Sequence, residues 1–213
     1  PLRDPDAGMT TLLTNAWLLT VDAAMTEHRR GWLLVEEGRI AALGDGAPPQ
    51  VPAGTQVRDM GGDIVMPGMV NPHCHMAMSL FRGLGEDVDD RLFRYVLPME
   101  RKFVTPEMVR VGTALAAWES IAAGVTTIAD MYYFEAEVGR VIDRAGLRGV
   151  VGQTLADFAP PDHRDMDEGF ALVEALADEF AGHPRVRASI APHAPYSTDI
   201  PVLRRVADWA TGH

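Results

Sequence analysis

Two histidines, His73 and His75, are separated by one residue and follow a short apolar segment. In an extended chain, side chains two residues apart point to the same face, so both imidazoles could reach one metal ion. Neutral imidazole is a common ligand of zinc and iron in hydrolases. A His-x-His triplet also arises by chance, but this one ends an apolar strand pattern. We therefore predict that it supplies two ligands of a metal-dependent hydrolase.

Cys74 lies between the two histidines and is the only cysteine of the chain. Strand alternation turns its side chain to the opposite face, so we predict a small buried residue rather than a third ligand. A single cysteine excludes a disulfide within the chain and favours a reducing compartment. We therefore expect a cytoplasmic protein.

A β-rich module precedes the histidines. Residues 11–62 alternate short apolar runs with turn residues, and Glu37-Gly38 between two such runs predicts a hairpin. Residues 63–66 predict a short buried strand that leads toward the histidines. The polar residues 1–8 are expected to form a disordered extension.

From residue 67 onward, strand and helix patterns alternate, which predicts βα units and a parallel sheet. Thr105-Pro106-Glu107 marks a helix start with a capping residue, and Gly124 marks the stop. Four such units fit into the sequence, whereas a complete eight-stranded barrel takes about 250 residues. Four strands would leave two unpaired edges, so we expect the remaining strands to come from missing sequence or from a second polypeptide.

Composition excludes two classes of partner. The chain has 47% hydrophobic residues, enough to bury a core, and a formal net charge of -11. The acidic residues are scattered and no basic stripe is present, so we expect no nucleic-acid partner. No apolar run approaches the roughly 18 residues that a membrane helix requires, so we expect no membrane partner.

Five ordered motifs carry a family resemblance, and they lie at residues 67–75, 78–83, 97–100, 124–131 and 191–196. Together they resemble the amidohydrolase superfamily. Within it they are most similar to the branch that contains 5-methylthioadenosine/S-adenosylhomocysteine deaminases and chlorotriazine hydrolases. The resemblance extends from Met9 over nearly the whole chain.

This resemblance implies an α/β fold: the first half, about four βα units, of a metal-dependent (β/α)8 TIM barrel at residues 67–213, preceded by part of a β-sandwich domain at residues 9–66. It implies one divalent metal, zinc in the first place with iron or manganese as alternatives, bound by His73 and His75. Such enzymes take further ligands and a proton-shuttling glutamate from the fifth to eighth strands. We therefore assign no catalytic residue within this chain.

The resemblance also implies substrate-binding roles for Glu100 and His193. Glu100 matches a glutamate that binds ribose hydroxyls, a task suited to a carboxylate that accepts two hydrogen bonds. The alternative is an exposed acid in a loop. His193 matches a histidine that lies beside the metal and contacts substrate; the alternatives are direct ligation and a structural role.

Three further residues have open roles. Asp130 ends a strand and could orient a ligand histidine as a hydrogen-bond acceptor. Arg82 could bind substrate, but an ion pair with Glu86 or Asp87 is the favoured interpretation. His163 lies in a proline-rich loop where a surface position is the default, although that loop could cover the pocket.

We therefore expect a metal-dependent hydrolytic deaminase of a purine, nucleoside-like or related N-heterocycle, in which metal-activated water attacks an sp2 ring carbon and ammonia leaves. The alternatives are a chlorohydrolase or other amidohydrolase on a triazine or pterin-like ring, and a non-catalytic half barrel. Gln153 stands where some relatives hold an arginine for a charged nucleoside tail, which disfavours S-adenosylhomocysteine. The expected partners are a small heterocyclic substrate, the other half of the barrel, and further copies in a homo-oligomer.

Overall fold

The computed structural model describes residues 9–212, in two compact units that divide between Gly68 and Met69. The disordered extension predicted for residues 1–8 lies outside the described residues. Within the described range, no helix is long and apolar enough to cross a membrane.

The first unit is a five-stranded sheet. Its strands are β1 (Thr11–Leu19), β2 (Glu27–Glu36), β3 (Arg39–Asp45), β4 (Gln56–Asp59) and β5 (Ile64–Val65). They follow the order β3-β2-β1-β4, and β5 pairs with the far end of β1. The strands β1, β2 and β3 are antiparallel, whereas β4 and β5 run parallel to β1.

The hairpin predicted at Glu37-Gly38 is confirmed. Glu37 has φ 50° and Gly38 has φ 70°, the two left-handed conformations that a two-residue turn between twisted strands requires. The buried strand predicted at residues 63–66 is wrong in its burial, because Ile64 remains 52% exposed. The reason is that β5 is only two residues long and pairs with β1 alone.

The second unit is a parallel sheet followed strand by strand by helices. Its strands are β6 (Met69–Cys74), β7 (Val125–Tyr132), β8 (Arg148–Leu155) and β9 (Val186–Pro192). Its helices are α1 (Leu97–Phe103), α2 (Pro106–Ala122), α3 (Glu135–Ala145), α4 (Met166–Glu179) and α5 (Ile200–Gly212). A 3-10 helix at Met76–Phe81 follows β6, and a π-helical segment at Leu92–Val96 leads into α1. The strand order β6-β7-β8-β9, all parallel, confirms the predicted four βα units.

Local signals set the helix ends. The Thr105 side chain accepts a hydrogen bond from the Met108 amide at the start of α2, which confirms the predicted cap. Asp165 caps α4 in the same way through the Glu168 amide. At the end of α3, Gly146 takes φ 78°, the left-handed conformation that closes a helix at low cost.

The core of the second unit lies between the sheet and the helices α2, α3 and α4. Its fully buried aliphatic residues include Val109, Ile128, Val138, Ile142, Val151 and Val186. Burial of this apolar surface stabilises the sheet and holds the carboxyl ends of its strands at one edge. Among the described residues β6 and β9 each have one strand neighbour, so both are edges of this sheet.

Gly112 allows α2 to pack closely on the 3-10 helix. A methyl group built there would lie 2.4 Å from the Ala77 carbonyl oxygen. Alanine normally stabilises a helix relative to glycine, but we expect Gly112→Ala to lower the free energy of unfolding by about 1–3 kcal/mol because of this overlap. Urea denaturation of the full-length protein measures the change. Gly212→Ala in α5, where a methyl group meets open space, is the control; equal effects of the two changes would contradict the close-packing argument.

Candidate active site

A cavity of about 280 Å³ opens at the carboxyl ends of the four parallel strands. Its walls include His75, Met78, Glu100, Tyr132, Tyr133, Thr154 and His193. In parallel α/β folds the ends of successive strands meet at one edge, and side chains from distant sequence positions converge there. Two of the predicted substrate-binding residues and one predicted metal ligand therefore face a common space.

His73 and His75 lie where β6 ends. The strand stops at Cys74, and His75 continues in an extended conformation with φ -132° and ψ 78°. The register with β7 contains one extra residue in β6 between Asn71 and Cys74. The two imidazole centroids are 5.0 Å apart, a separation that suits two ligands of one ion.

Hydrogen bonding fixes the orientation of the His75 ring. Its Nδ1 bonds the backbone carbonyl oxygen of Met131 at the end of β7. A bond of this kind sets the tautomer and leaves Nε2 as the nitrogen that could coordinate a metal. Within residues 9–212, no group of three or more His, Cys, Asp or Glu side chains is arranged to hold a metal ion. The ligand role of His73 and His75 therefore stays a prediction, with further ligands still required.

Asp130 anchors the chain on either side of His75. Its Oδ1 accepts a hydrogen bond of 2.6 Å from the Met76 amide and one of 3.3 Å from the Cys74 thiol. The expectation that Asp130 accepts a bond from a histidine ring is wrong, because its Oδ1 accepts from Cys74 and Met76, whereas the His75 ring donates its hydrogen bond to the Met131 carbonyl oxygen. Burial, and then the charge of Asp130, raise the pKa of the Cys74 thiol. Cys74 packs against the core, as the predicted filling role requires, but it is partly buried rather than buried.

Glu100 is buried in the first turn of α1 with 5% of its surface exposed, so the alternative of an exposed loop acid is wrong. The Tyr132 hydroxyl donates a 2.8 Å hydrogen bond to its Oε1. Burial raises the pKa of Glu100, and hydrogen bonds from Tyr132 and Tyr133 offset part of the rise. A carboxylate held this way can still accept hydroxyl groups from the cavity side.

His193 follows β9 and brings an imidazole to the same cavity as Glu100. Its Nδ1 lies 2.9 Å from the Ser197 hydroxyl oxygen, and the Phe158 ring meets it edge-on at 5.1 Å. Burial, and then the charge of His75, lower the pKa of His193. The imidazole is therefore neutral at physiological pH, and its second nitrogen is available to a ligand.

Arg82 lies away from the cavity. The partners predicted for it, Glu86 and Asp87, are wrong: its two terminal nitrogens bond the Glu119 carboxylate at 2.9 and 2.6 Å. The physical reason is that α2 packs against the 3-10 helix that precedes Arg82 and brings Glu119 alongside. Among the described residues, the cavity lining does not include Arg82.

His163 is buried, with 5% of its surface exposed, so the expected surface position is wrong. Its Nδ1 lies 2.8 Å from Oδ1 of Asp162. Oδ2 of Asp162 accepts hydrogen bonds from the Phe134 amide at 2.8 Å and from the Gln153 side chain at 2.9 Å. The loop after β8 is therefore tied to the ends of β7 and β8, and it places Phe158 against His193.

Sequence reasoning missed Tyr132, Tyr133 and Glu135. The tyrosines lie in a continuous apolar run, and no spacing rule assigns one of them to a buried carboxylate 32 residues away. Glu135 looks like an ordinary acid that favours the positive end of a helix dipole. Its complete burial is a tertiary property that the local sequence does not reveal.

Comparisons with known proteins agree with this architecture. A model of the amidohydrolase family matches residues 64–211. A 5-methylthioadenosine/S-adenosylhomocysteine deaminase from Syntrophobacter fumaroxidans is 38% identical over 95% of this chain and 47% of its own length. The crystal structure of an adenosine deaminase from Xanthomonas campestris with bound zinc has a TM-score of 0.80 and 28% identity, over 98% of this chain and 48% of that one.

A zinc complex of an atrazine chlorohydrolase from Arthrobacter aurescens also superimposes, with a TM-score of 0.79 over 95% of this chain and 51% of that one. At 18% identity this likeness shows the fold alone. The predicted fold class is confirmed, since the α/β chain with its parallel sheet matches the N-terminal half of amidohydrolase TIM-barrel proteins. The chain spans about half the length of the curated relatives it matches.

The raised pKa of Glu100 predicts how the stability of the fold depends on pH. A carboxyl whose folded pKa is raised stabilises the fold below its unfolded pKa, and that contribution is lost as pH rises through the folded pKa. Glutamine cannot ionise and still accepts the Tyr132 hydroxyl. We therefore expect Glu100→Gln to raise the melting temperature of the full-length protein, with a gain that grows as pH rises above the unfolded pKa of about 4. The exposed Glu86→Gln is the control, and a pH-independent difference between Glu100→Gln and the parent protein would contradict the argument.

Proposed function

The chain belongs to the amidohydrolase family, and from that membership we propose that it supplies half of the active site of a hydrolytic deaminase. The proposed reaction releases ammonia from an sp2 ring carbon of a purine nucleoside or related N-heterocycle. The observation that carries the proposal is the convergence of His75, Glu100 and His193 on one cavity at the strand ends. A relative 38% identical over nearly the whole chain is named a deaminase of adenosine derivatives.

We propose one divalent metal, zinc, held in part by His73 and His75. The donor set fits, because the two imidazole centroids are 5.0 Å apart and the Met131 carbonyl fixes the tautomer of His75. A structure 28% identical to this chain contains zinc, while iron and manganese remain alternatives that imidazole also accepts. When bound, such a metal supplies a water whose pKa is lowered to about 7. His73 and His75 fix where that water can meet the substrate.

For the substrate, Glu100 and His193 are the proposed binding groups. An ionised Glu100 accepts hydrogen bonds from the two hydroxyls of a ribose, and the Tyr132 hydroxyl donates a further hydrogen bond to Oε1 of the same carboxylate. His193, neutral and restrained by Ser197, offers one ring nitrogen to the heterocycle. These polar groups in a partly apolar cavity suit a flat base that carries a hydroxylated substituent.

Gln153 supports a nucleoside with an uncharged tail. Its side chain is 2% exposed and bonds Asp162, so it does not offer a charge to the cavity. Asp162 in turn is held by the Phe134 amide and His163. Gln153 is not part of the described cavity lining, so this position supplies no cation for an amino-acid tail, and we propose smaller 5′-substituted adenosines rather than S-adenosylhomocysteine.

The remaining ligands and the proton shuttle are proposed to come from residues outside these 213, either further sequence or a second chain. Two histidines are too few for a catalytic zinc site, which takes about three protein ligands and an open position. We also propose a homo-oligomer in the cytoplasm, a reducing compartment in which the free thiol of Cys74 stays reduced.

The metal proposal predicts that His73→Ala and His75→Ala each abolish stoichiometric zinc in the full-length protein. Turnover should be lost with the metal, because neither variant retains both imidazoles at the end of β6. Metal analysis after dialysis and an ammonia assay measure the two effects. His28→Ala, a histidine of the first unit, should behave like the parent protein. Full zinc content in both site variants would rule out this ligand assignment, and a parent protein without metal would support the non-catalytic half barrel.

The substrate proposal predicts ammonia release from 5′-substituted adenosines and slower release from free adenine. Glu100→Ala should lower kcat/KM for the nucleosides by about tenfold to a hundredfold, the usual cost of losing charged hydrogen bonds. Its effect on free adenine should be small, because adenine has no ribose hydroxyls. Chloride release from a chlorotriazine without ammonia release from any nucleoside would favour the chlorohydrolase alternative. Equal losses on adenine and nucleosides would remove Glu100 from ribose binding.

A further inference from the structure

The helix α3 begins with a glutamate that is completely buried beside another carboxyl group. Glu135 has no exposed surface, and Asp130 in β7 is 3% exposed. Within the described part of the chain, Oδ2 of Asp130 and both oxygens of Glu135 are buried without a well-formed hydrogen bond to a conventional donor. Two ionised carboxylates could not share such a place, because each would lack both solvent and a cation.

Protonation of one member resolves this conflict. Burial, and then the charge of Asp130, raise the pKa of Glu135 well above its ordinary range, and the Tyr132 backbone offsets only part of the rise. Burial also raises the pKa of Asp130, but the Met76 amide and the Cys74 thiol favour its ionised form. The proton of the pair therefore belongs on Glu135. A neutral carboxylic acid can donate one hydrogen bond, which an ionised one cannot.

We propose that Glu135 is a neutral hydrogen-bond donor to Oδ2 of Asp130, and that this buried pair positions His75 for metal binding. The inference rests on the proposed role of His75 as a ligand. Glu135 is not part of the described lining of the proposed substrate cavity, so we assign it as a positioning residue.

A short chain of contacts connects Glu135 with His75, the proposed metal ligand. Asp130 holds the residues on both sides of His75, through the Met76 amide at 2.6 Å and the Cys74 thiol at 3.3 Å. The carbonyl oxygen of the next residue in β7, Met131, accepts a hydrogen bond from the His75 ring. A rotation of the Asp130 carboxylate would release the end of β6 and turn the imidazole. The hydrogen bond from protonated Glu135 to Oδ2 of Asp130 prevents this rotation.

Infrared difference spectroscopy tests the protonation state. The spectrum of the full-length protein minus that of Glu135→Gln should contain the carbonyl stretch of a neutral carboxylic acid at neutral pH. Glutamine is nearly isosteric and keeps a donor for Asp130, so the variant should fold and bind zinc like the parent. A difference spectrum that contains only carboxylate bands would overturn the proposal.

Zinc affinity tests the positioning role. Glu135→Leu removes the donor, and we expect chelator competition to show zinc binding weakened by about tenfold, within the range found for residues that orient ligands. Glu135→Gln should stay within about twofold of the parent protein, as a rescue by the retained donor. Val138→Ala, one turn further along α3 and fully buried, creates a core defect but removes no hydrogen-bond donor; it should lower the melting temperature but leave zinc affinity unchanged.

Three outcomes separate this inference from the proposed function. Zinc affinity reduced as much by Val138→Ala as by Glu135→Leu would overturn the positioning role, because general destabilisation would explain both. If Glu135→Leu does not fold, the infrared result on Glu135→Gln decides the inference. Normal zinc binding by His75→Ala would instead contradict the proposed metal site, while a neutral acid in the infrared spectrum would still locate the proton on Glu135.

Discussion

The hydrogen bond from the Met76 amide to the buried Asp130 carboxylate is the contact on which the site geometry depends. It joins the end of β6 to β7, and a charged acceptor in a buried position makes it stronger than an ordinary backbone bond. His75 immediately precedes the donor, and its ring bonds the residue that immediately follows the acceptor. The parallel pairing of β7 with β8 and of β8 with β9 then fixes the other strand ends relative to this contact. His193 consequently lines the same cavity, although 118 positions separate it from His75 in the sequence.

Much of this architecture follows from signals that operate over a few residues. The cap at Thr105 and the turn at Glu37-Gly38 depend on neighbouring backbone groups, so the sequence predicts them correctly. The alternation of apolar strands with amphipathic helices likewise predicts four parallel βα units. The convergence of His75 and His193 follows once the strand ends are known, because all parallel strands present their carboxyl ends on one side.

The predictions for Arg82 and His163 failed because contacts between distant segments of the chain determine where these side chains lie. Arg82 has acidic neighbours in sequence, yet a helix packed against its turn offers Glu119 with bidentate geometry. His163 lies in a loop of polar residues and prolines, yet Asp162 ties that loop inward to the Phe134 amide. In both cases tertiary packing places a partner that no periodicity or spacing rule encodes. The ion pair of Arg82 is exposed and contributes little, whereas the buried Asp162 contacts replace solvent for groups that could not remain unpaired.

Glu100 and Glu135 show why position along the chain is insufficient to assign a carboxylate. Both lie in the first turn of a helix, and both are buried. Glu100 meets tyrosine hydroxyls at the cavity wall, which donate hydrogen bonds to its carboxylate and offset part of the pKa rise that burial causes. Glu135 meets Asp130, which when ionised can only accept, so that contact requires a proton. One glutamate can thus present charge to a substrate while the other can only hold a neighbour in place. What separates the two roles is the hydrogen-bonding capacity of the partner, which the fold alone supplies.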